Sequence, residues 1–442
     1  MKKMIKITAL LLMLVLTVGM ACGCATGAAD GEEEKVLAEL TIGLPYNSES
    51  SNWSELQAMI DDFEMMNDAV VTLVEVPAVG TEEYTKFLDK VYSGKVDMFL
   101  GTSSPDLEKL IKDNKIATAT AINSKDTRFF ELLVPVYKNV SRESNRLNYS
   151  VPFGGSVQGL FLNKDVFEQN EVALPTDWAS LNAAITALKA KNVTPFAAGF
   201  ADGAGYWLEE MILVEGGTAE HSAVPAKGVI NSWSRAVNNI KNFYKAGAFS
   251  AGCTTNTHDI AVAEFVNKQA AMILCSSTDL AGSADPDNTI FMSFPVSTTG
   301  IKEKGAFIGK TERAFYINQK SLSRNVDETT ALSGVMVEFI NTYMGYSDYY
   351  GPLFSIDGQF PFSKDAADAM DTAYEETLYK VVSEAEHADM PMSSYLLTYE
   401  EMKNSLIDVL DDVISVKEYL TNVTDAEIKA QADKKAAELG DK

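Results

Sequence analysis

Histidine is scarce in this chain: His221, His258 and His387 are the only three among 442 residues, and no two are close in sequence. No HExxH, GxSxG or Walker-type phosphate loop occurs, and no Cys/His group has metal spacing. These absences remove the common metallohydrolase, serine-hydrolase and nucleotide-hydrolase chemistries, and neither metal nor cofactor is expected. A glycosidase-type carboxylate pair is compatible with so acidic a chain, yet nothing in the sequence marks one. Cysteine is rare too, with Cys22, Cys24, Cys253 and Cys275 in all. Two cysteines beyond the N-terminus make no disulfide framework, and Cys275, inside AAMILC, reads as a small buried hydrophobe. Asp285 and Asp287 in SADPDNT hint at calcium, but the glycine and closing glutamate of an EF-hand are missing.

Positive charge is in deficit, 37 Lys and Arg against 62 Asp and Glu, for a formal net charge of −25. Such a surface speaks against nucleic acid or an anionic membrane face as partner. Long apolar runs are missing apart from Ile7 to Met20, which follows Lys2, Lys3 and Lys6 and ends in small residues. This is the pattern of a secretory signal over 1–23, and it falls short of the roughly 20 apolar residues of a membrane span. Its removal would take the net charge to −28. The small residues ahead of Cys24 and of Cys22 resemble a bacterial lipobox, which implies lipidation at Cys24 (or Cys22). Residues 24–35, small and acidic from Thr26 on, then read as a tether to the membrane.

About 420 residues remain, more than one core commonly serves, so two lobes are expected. At 46% hydrophobic and 22% charged residues, the composition is that of a soluble globular protein. Val36–Leu44 reads as a strand, and Trp53, Leu56, Ile60 and Phe63 mark an amphipathic helix. Val70–Val76 is β-rich, Tyr84, Phe87, Leu88 and Val91 define the next helix, and Val96–Leu100 is a third strand. This β-α-β-α-β order predicts an α/β fold with a largely parallel sheet and ligands beyond the carboxyl ends of its strands. Tyr46, Asn47, Glu49 and Trp53 after the first strand, and Thr102 and Ser103 after the third, become candidate ligand contacts. The loop Phe153–Ser156, with Gly155, is the third candidate.

The most informative stretch is VPFGGSVQGLFLNKDVFEQNEVALPTDW, Val151 to Trp178. Its apolar run Gly159–Leu162 reads as a buried strand, and Asn163-Lys164-Asp165 opens a brief helix. Pro175-Thr176-Asp177 then starts a helix with Trp178, Leu181, Ile185 and Leu188 on one face. With TPFAAGF after it, the order and spacing of VPFGG, GLFLNKDVF, LPTDW and KNVTPFAAG resemble extracellular solute-binding proteins of the maltose-binding type. Leu162 replaces the usual Tyr, and Ala179-Ser180 replace acidic residues.

The resemblance implies a two-lobed, periplasmic-binding-protein-like fold with a hinge and a ligand cleft between lobes. Lobe 1 would comprise 36–150 plus 298–360, and lobe 2 would comprise 151–297 plus 361–442, with crossings near 150, 297 and 361. Trp207, at the family's cleft segment, would stack on a sugar face or pack on its helix. After Phe265–Leu274 the family's cleft Gly and Trp are replaced by Ser276-Ser277-Thr278-Asp279. Ser277 and Asp279 thus become polar ligand contacts, although Asp279 could equally cap a helix. Gly309–Arg313 would pass near the cleft, with Arg313 able to grip a carboxylate. The Tyr-rich loop 346–350 and DGQFPFSKD, 357–365, would lead into the third crossing, and Thr424 with Glu427 reads as a capping box of the last helix.

The implied function is capture of a carbohydrate, as an oligosaccharide, by a monomer anchored at the cell surface. Closure would present it to the permease subunits of an ABC importer. The rivals are a charged or peptide-like solute held by Asp279 and Arg313, a surface sensor serving a membrane kinase, and an extracellular glycoside hydrolase.

Overall fold

A computed structural model describes residues 36–50, 53–102, 104–131, 133–136, 149–301, 303, 305–345, 360–361, 363, 370 and 372–440. The signal, tether and lipidation expectations, Ser103, and the loops 346–350 and 357–359 lie outside the described residues. Leu37 to Lys442 forms one compact unit. Its strands are β1 (Ala38–Leu44), β2 (Ala69–Glu75), β3 (Met98–Gly101), β4 (Val151–Asn163), β5 (Thr194–Ala197), β6 (Ala270–Ser276), β7 (Thr289–Met292), β8 (Ala306–Ile317), β9 (Phe360–Pro361) and β10 (His387–Asp389). They join in one sheet of order β2-β1-β3-β8-β4-β6-β5.

The β-α-β-α-β expectation describes the first three strands. β1 runs parallel to β2 from Ala38↔Ala69 to Leu44↔Glu75, and parallel to β3, with helices Trp53–Asn67 and Glu82–Tyr92 between. Beyond β3 the sheet becomes mixed. β8 is antiparallel to β3, from Met98↔Ile317 to Gly101↔Ala314, and β4 is antiparallel to β8. These two long strands serve both halves of the molecule. β4 pairs with β8 from Val151 to Gln158, then with β6 and β7 from Gln158 to Asn163. β8 begins beside β10 at Ala306–Ile308 and ends beside β3.

Of three apolar regions, the two larger flank the shared strands. Leu40, Ile42, Phe63, Met98, Phe153, Phe315, Phe339 and Tyr343 fill one, where Phe63 meets Phe339 edge-on at 5.2 Å. Phe196, Trp207, Phe243, Phe249, Phe294 and Tyr419 fill the other. The helix Trp178–Ala190 buries Leu181, Ile185 and Leu188 in it, and Asp177 caps that helix by accepting from Ser180 N at 2.7 Å. The last helix corrects the capping-box expectation: Val416–Gly440 runs through Thr424 without a break. Glu427 instead clamps a neighbouring segment, accepting from Leu397 N at 3.1 Å and Thr398 N at 2.8 Å.

The helix Phe200–His221 is broken at Gly217, whose φ of 67° and ψ of −177° belong to a region open only to glycine. Glu303 caps the new helical start, accepting from Thr218 N at 2.9 Å. A Cβ at position 217 would sit 2.5 Å from Glu303 Oε1. Strain and lost cap act together, so Gly217→Ala should lower stability by about 2–3 kcal/mol, read as a shifted urea midpoint at unchanged slope.

Candidate functional site

Where β4 and β8 change partners, a cavity of about 330 Å³ opens beside the helix Phe200–His221. β4 supplies it at alternate residues, Ser156 and Gln158, as a pleated backbone requires, and β8 adds Ile308, Gly309, Lys310 and Glu312. Val157, between the first two, turns away and is fully buried. The helix Phe200–His221 contributes Asp202, Gly205, Tyr206 and Glu209, steps of three and four that share one helical face. Ser276 and Thr278 close one side, Tyr399 and Lys403 another.

Most of these groups hold one another. Glu312 accepts from Ser156 Oγ at 3.1 Å and pairs with Lys310 at 3.1 Å. Glu209 accepts from Tyr399 Oη and, at 3.0 Å, from Met392 N. Lys403 pairs with Glu400 at 2.8 Å and lies over the Tyr399 ring. The Tyr206 ring stacks on His258 with centroids 4.4 Å apart. Asp279 stands behind that stack, accepting from His258 Nε2 at 3.1 Å and Ser276 N at 2.8 Å. Burial would push its carboxyl up, but the bonds from His258, Ser276 and Tyr206 outweigh it and hold it below the ordinary range. Among the described residues, no group of three or more His, Cys, Asp or Glu is arranged to hold a metal. Cys253 and Cys275 are both buried thiols.

The cavity floor rests on a buried polar cluster. His221 is fully buried, with Nδ1 2.9 Å from Asp389 Oδ2 and Nε2 3.6 Å from Glu209 Oε2. Burial alone would lower its pKa, but the two carboxylates prevail and raise it to about 9. The folded state therefore holds this proton more tightly than the unfolded chain, whose value is 6.5. The resulting stabilisation is complete below pH 6.5 and is lost as pH rises through about 9. It is on the order of 3 kcal/mol. The melting temperature should fall across that window, and His221→Gln should start lower and show a flatter decline.

The sequence candidates divide between wall, rim and core. Thr278's neighbour Asp279 is partly buried and supports Tyr206; it also closes a capping box with Ser276. Tyr46 is half-buried at the end of β1, 3.4 Å from Arg313 Nη1. Asn47 organises its own turn, accepting from Glu49 N at 3.0 Å and donating to Glu75 at 3.1 Å, and Glu49 is exposed. Trp53 packs partly against the first apolar region, and Thr102 is half-buried after β3. Phe153 is inaccessible, packed on Phe315 and Tyr343. Gly155 is buried opposite Thr311 and Phe360. Trp207 is 2% exposed among Phe196, Phe249 and Phe294, so its helix neighbour Tyr206 presents the ring to the cavity instead. Ser277 is buried and ties the turn to β4, accepting from Val157 N at 3.1 Å. Of the passage Gly309–Arg313, Gly309, Lys310 and Glu312 line the cavity and Arg313 does not.

A second hollow of about 410 Å³ lies around Asp97 and Arg324. There Asp97 is occupied structurally, by Thr41 N at 2.8 Å, Ser321 Oγ at 2.7 Å and Arg324 at 3.1 Å.

Comparison with known proteins gives this arrangement a setting. A multiple sugar-binding protein of Streptococcus mutans is 28% identical over 200 residues, and the chain spans about 43% of that relative's length, the match covering 43% of this chain. A secreted solute-binding lipoprotein of Streptomyces coelicolor superposes with a TM-score of 0.67 at 14% identity, covering 88% of this chain and 98% of its own. The apo form of RafE from Streptococcus pneumoniae does so with a TM-score of 0.60 at 16% identity, covering 89% and 98%. At these identities the superpositions establish a fold, that of two-lobed solute-binding proteins. The model of bacterial extracellular solute-binding proteins matches residues 58–378, most of the chain, and the protein belongs to that family.

Proposed function

We propose that the protein captures a neutral, hydroxyl-rich solute, a carbohydrate, in the cavity between β4 and β8 and delivers it to an ABC permease. The observation that carries this reading is the cavity's lining. Asp202, Gln158, Ser156, Ser276, Thr278 and Glu312 offer hydrogen-bonding groups from the helix Phe200–His221, from β4, from β6 with the turn after it, and from β8, and Tyr206 offers an apolar ring face. Three carboxylates against two lysines, both already paired, make the cavity unsuited to an anionic solute. The relative from Streptococcus mutans is named for sugar binding, and a RafE structure contains raffinose.

In this reading β4 and β8 form the hinge, and ligand bridging favours the closed arrangement by its higher affinity for that state. Lobe 1 comprises 36–150 plus 298–360, and lobe 2 comprises 151–297 plus 361–442, with Thr299 and Glu303 bonding across to the helix Phe200–His221. The protein acts as a monomer at the cell surface, carried by a lipid on Cys24 (or Cys22) and the tether 24–35.

The test is thermal unfolding of the chain from Ala25 on, which contains the whole compact unit, against raffinose, laminaribiose, N,N′-diacetylchitobiose, galactose, amino acids and short peptides. A sugar at 100 times its dissociation constant should add about 2.7 kcal/mol of stability. Tyr206→Ala should weaken that response by about 1 kcal/mol or more. Shifts with charged solutes alone would replace the carbohydrate reading, and sugar consumed during incubation would overturn a binding role.

A further inference from the structure

Gln158 occupies a singular position on β4. It is opposite Ile308 of β8 on one side and Ser276 of β6 on the other, the point at which β4 passes from one half of the sheet to the other. Its side chain lines the cavity, and its amide nitrogen lies 3.2 Å from Tyr206 O and 3.3 Å from Glu210 Oε2. A backbone carbonyl can only accept, so Tyr206 O requires the nitrogen, and both amide hydrogens are used inside the protein. Glu210 itself is 2% exposed and is not part of the cavity wall.

We propose that Glu210 is a positioning residue for solute capture: it holds the Gln158 amide nitrogen inward, so that Oε1 faces the cavity and accepts from a solute hydroxyl or N–H. This rests on the cavity being the solute site. The neutral acid form of Glu210 would act differently. Its facing partners, Gln158 Nε2 and the Phe294 backbone N–H, are both donors, so an added carboxyl proton has no acceptor unless the amide turns round. Turning would aim nitrogen at the cavity and set Oε1 against Tyr206 O. The charges acting on Glu210 are Glu209 and His221 on its own helix, with Asp389 of β10 beyond His221. Burial, only partly offset by Gln158 and His221, pushes the Glu210 carboxyl up to about 7, within the range where such a switch operates.

Glutamine-selective ¹⁵N labelling of the chain from Ala25 on decides the point. The Gln158 side-chain amide signals, identified by their loss in Gln158→Leu, should move with pH around a midpoint near 7 in the wild type. They should not move in Glu210→Gln, whose own amide oxygen still accepts from Gln158 without titrating. Calorimetry with raffinose, laminaribiose and N,N′-diacetylchitobiose supplies the binding arm. Any of these that binds should do so about fivefold more weakly one pH unit below the midpoint than one unit above it. That difference should vanish in Glu210→Gln, and Gln158→Leu should lose a similar factor above the midpoint. Melting curves establish that each variant folds. Amide signals that stay fixed in the wild type, or that titrate equally in Glu210→Gln, overturn the proposal. If no sugar binds the wild type, the carbohydrate reading fails while the amide titration still decides the role of Glu210.

Discussion

Replacing Glu215 with alanine is expected to cost about 3–5 kcal/mol of folding stability, measurable as a collapse of the urea midpoint. Glu215 is completely buried, and its carboxylate is the meeting point of three segments. Arg235 Nε donates to it at 2.8 Å and Asn239 Nδ2 at 2.7 Å, both from the helix Asn231–Lys245. Ser297 Oγ and, at 3.0 Å, Thr299 Oγ1 donate from the segment that leads into β8. Burial opposes the charge, but the four donors outweigh it and hold the carboxyl below its ordinary range. Alanine would leave those donors facing a void, and each unsatisfied buried group carries a desolvation penalty. Glu215→Gln, which keeps the shape but offers one acceptor in place of two, should fall between alanine and wild type. Because 297–303 leads into the strand that carries Lys310 and Glu312, the alanine variant should also bind solute more weakly once refolded.

Much of the scaffold around this clamp was legible from periodicity. Leu181, Ile185 and Leu188 recur at helical spacing and are buried together, and the first three strands alternate with helices as their apolar runs implied. What escaped were features set by contacts distant in sequence. Thr424 and Glu427 have the spacing of a capping box, yet Glu427 answers to Leu397 and Thr398, about thirty positions earlier. Gln158 immediately precedes the run Gly159–Leu162 that reads as a buried strand, and its position between β6 and β8 makes it a cavity group. Tyr399 and Lys403 reach the cavity from a helix that no local pattern links to it. One signal was available: Asp202, Gly205, Tyr206 and Glu209 form a polar face at steps of three and four. Trp207, about 100° further round that helix, has to point elsewhere.

That geometry separates two adjacent aromatic residues by role. Trp207 meets Phe249 edge-on at 4.7 Å and Phe196 at 5.1 Å, and contacts Phe243 and Phe294 as well. Trp207→Ala would open a void among these rings that the surrounding strand and helices cannot collapse to fill. A loss of about 3–5 kcal/mol follows from the lost transfer energy and the cavity together. Trp207→Phe keeps most of the volume and should cost less than half as much. Neither change touches the cavity wall, so the fraction that remains folded should retain its affinity for solute, measured by calorimetry on refolded protein. Tyr206→Ala should behave in the opposite sense, because its half-buried ring lies at the cavity, stacked on His258 and backed by Asp279. It should lose less stability than Trp207→Ala and more affinity. If Trp207→Ala instead abolished binding in protein that melts like the wild type, the indole would have to contact the solute, and the packed position at 2% exposure would not be the one that functions.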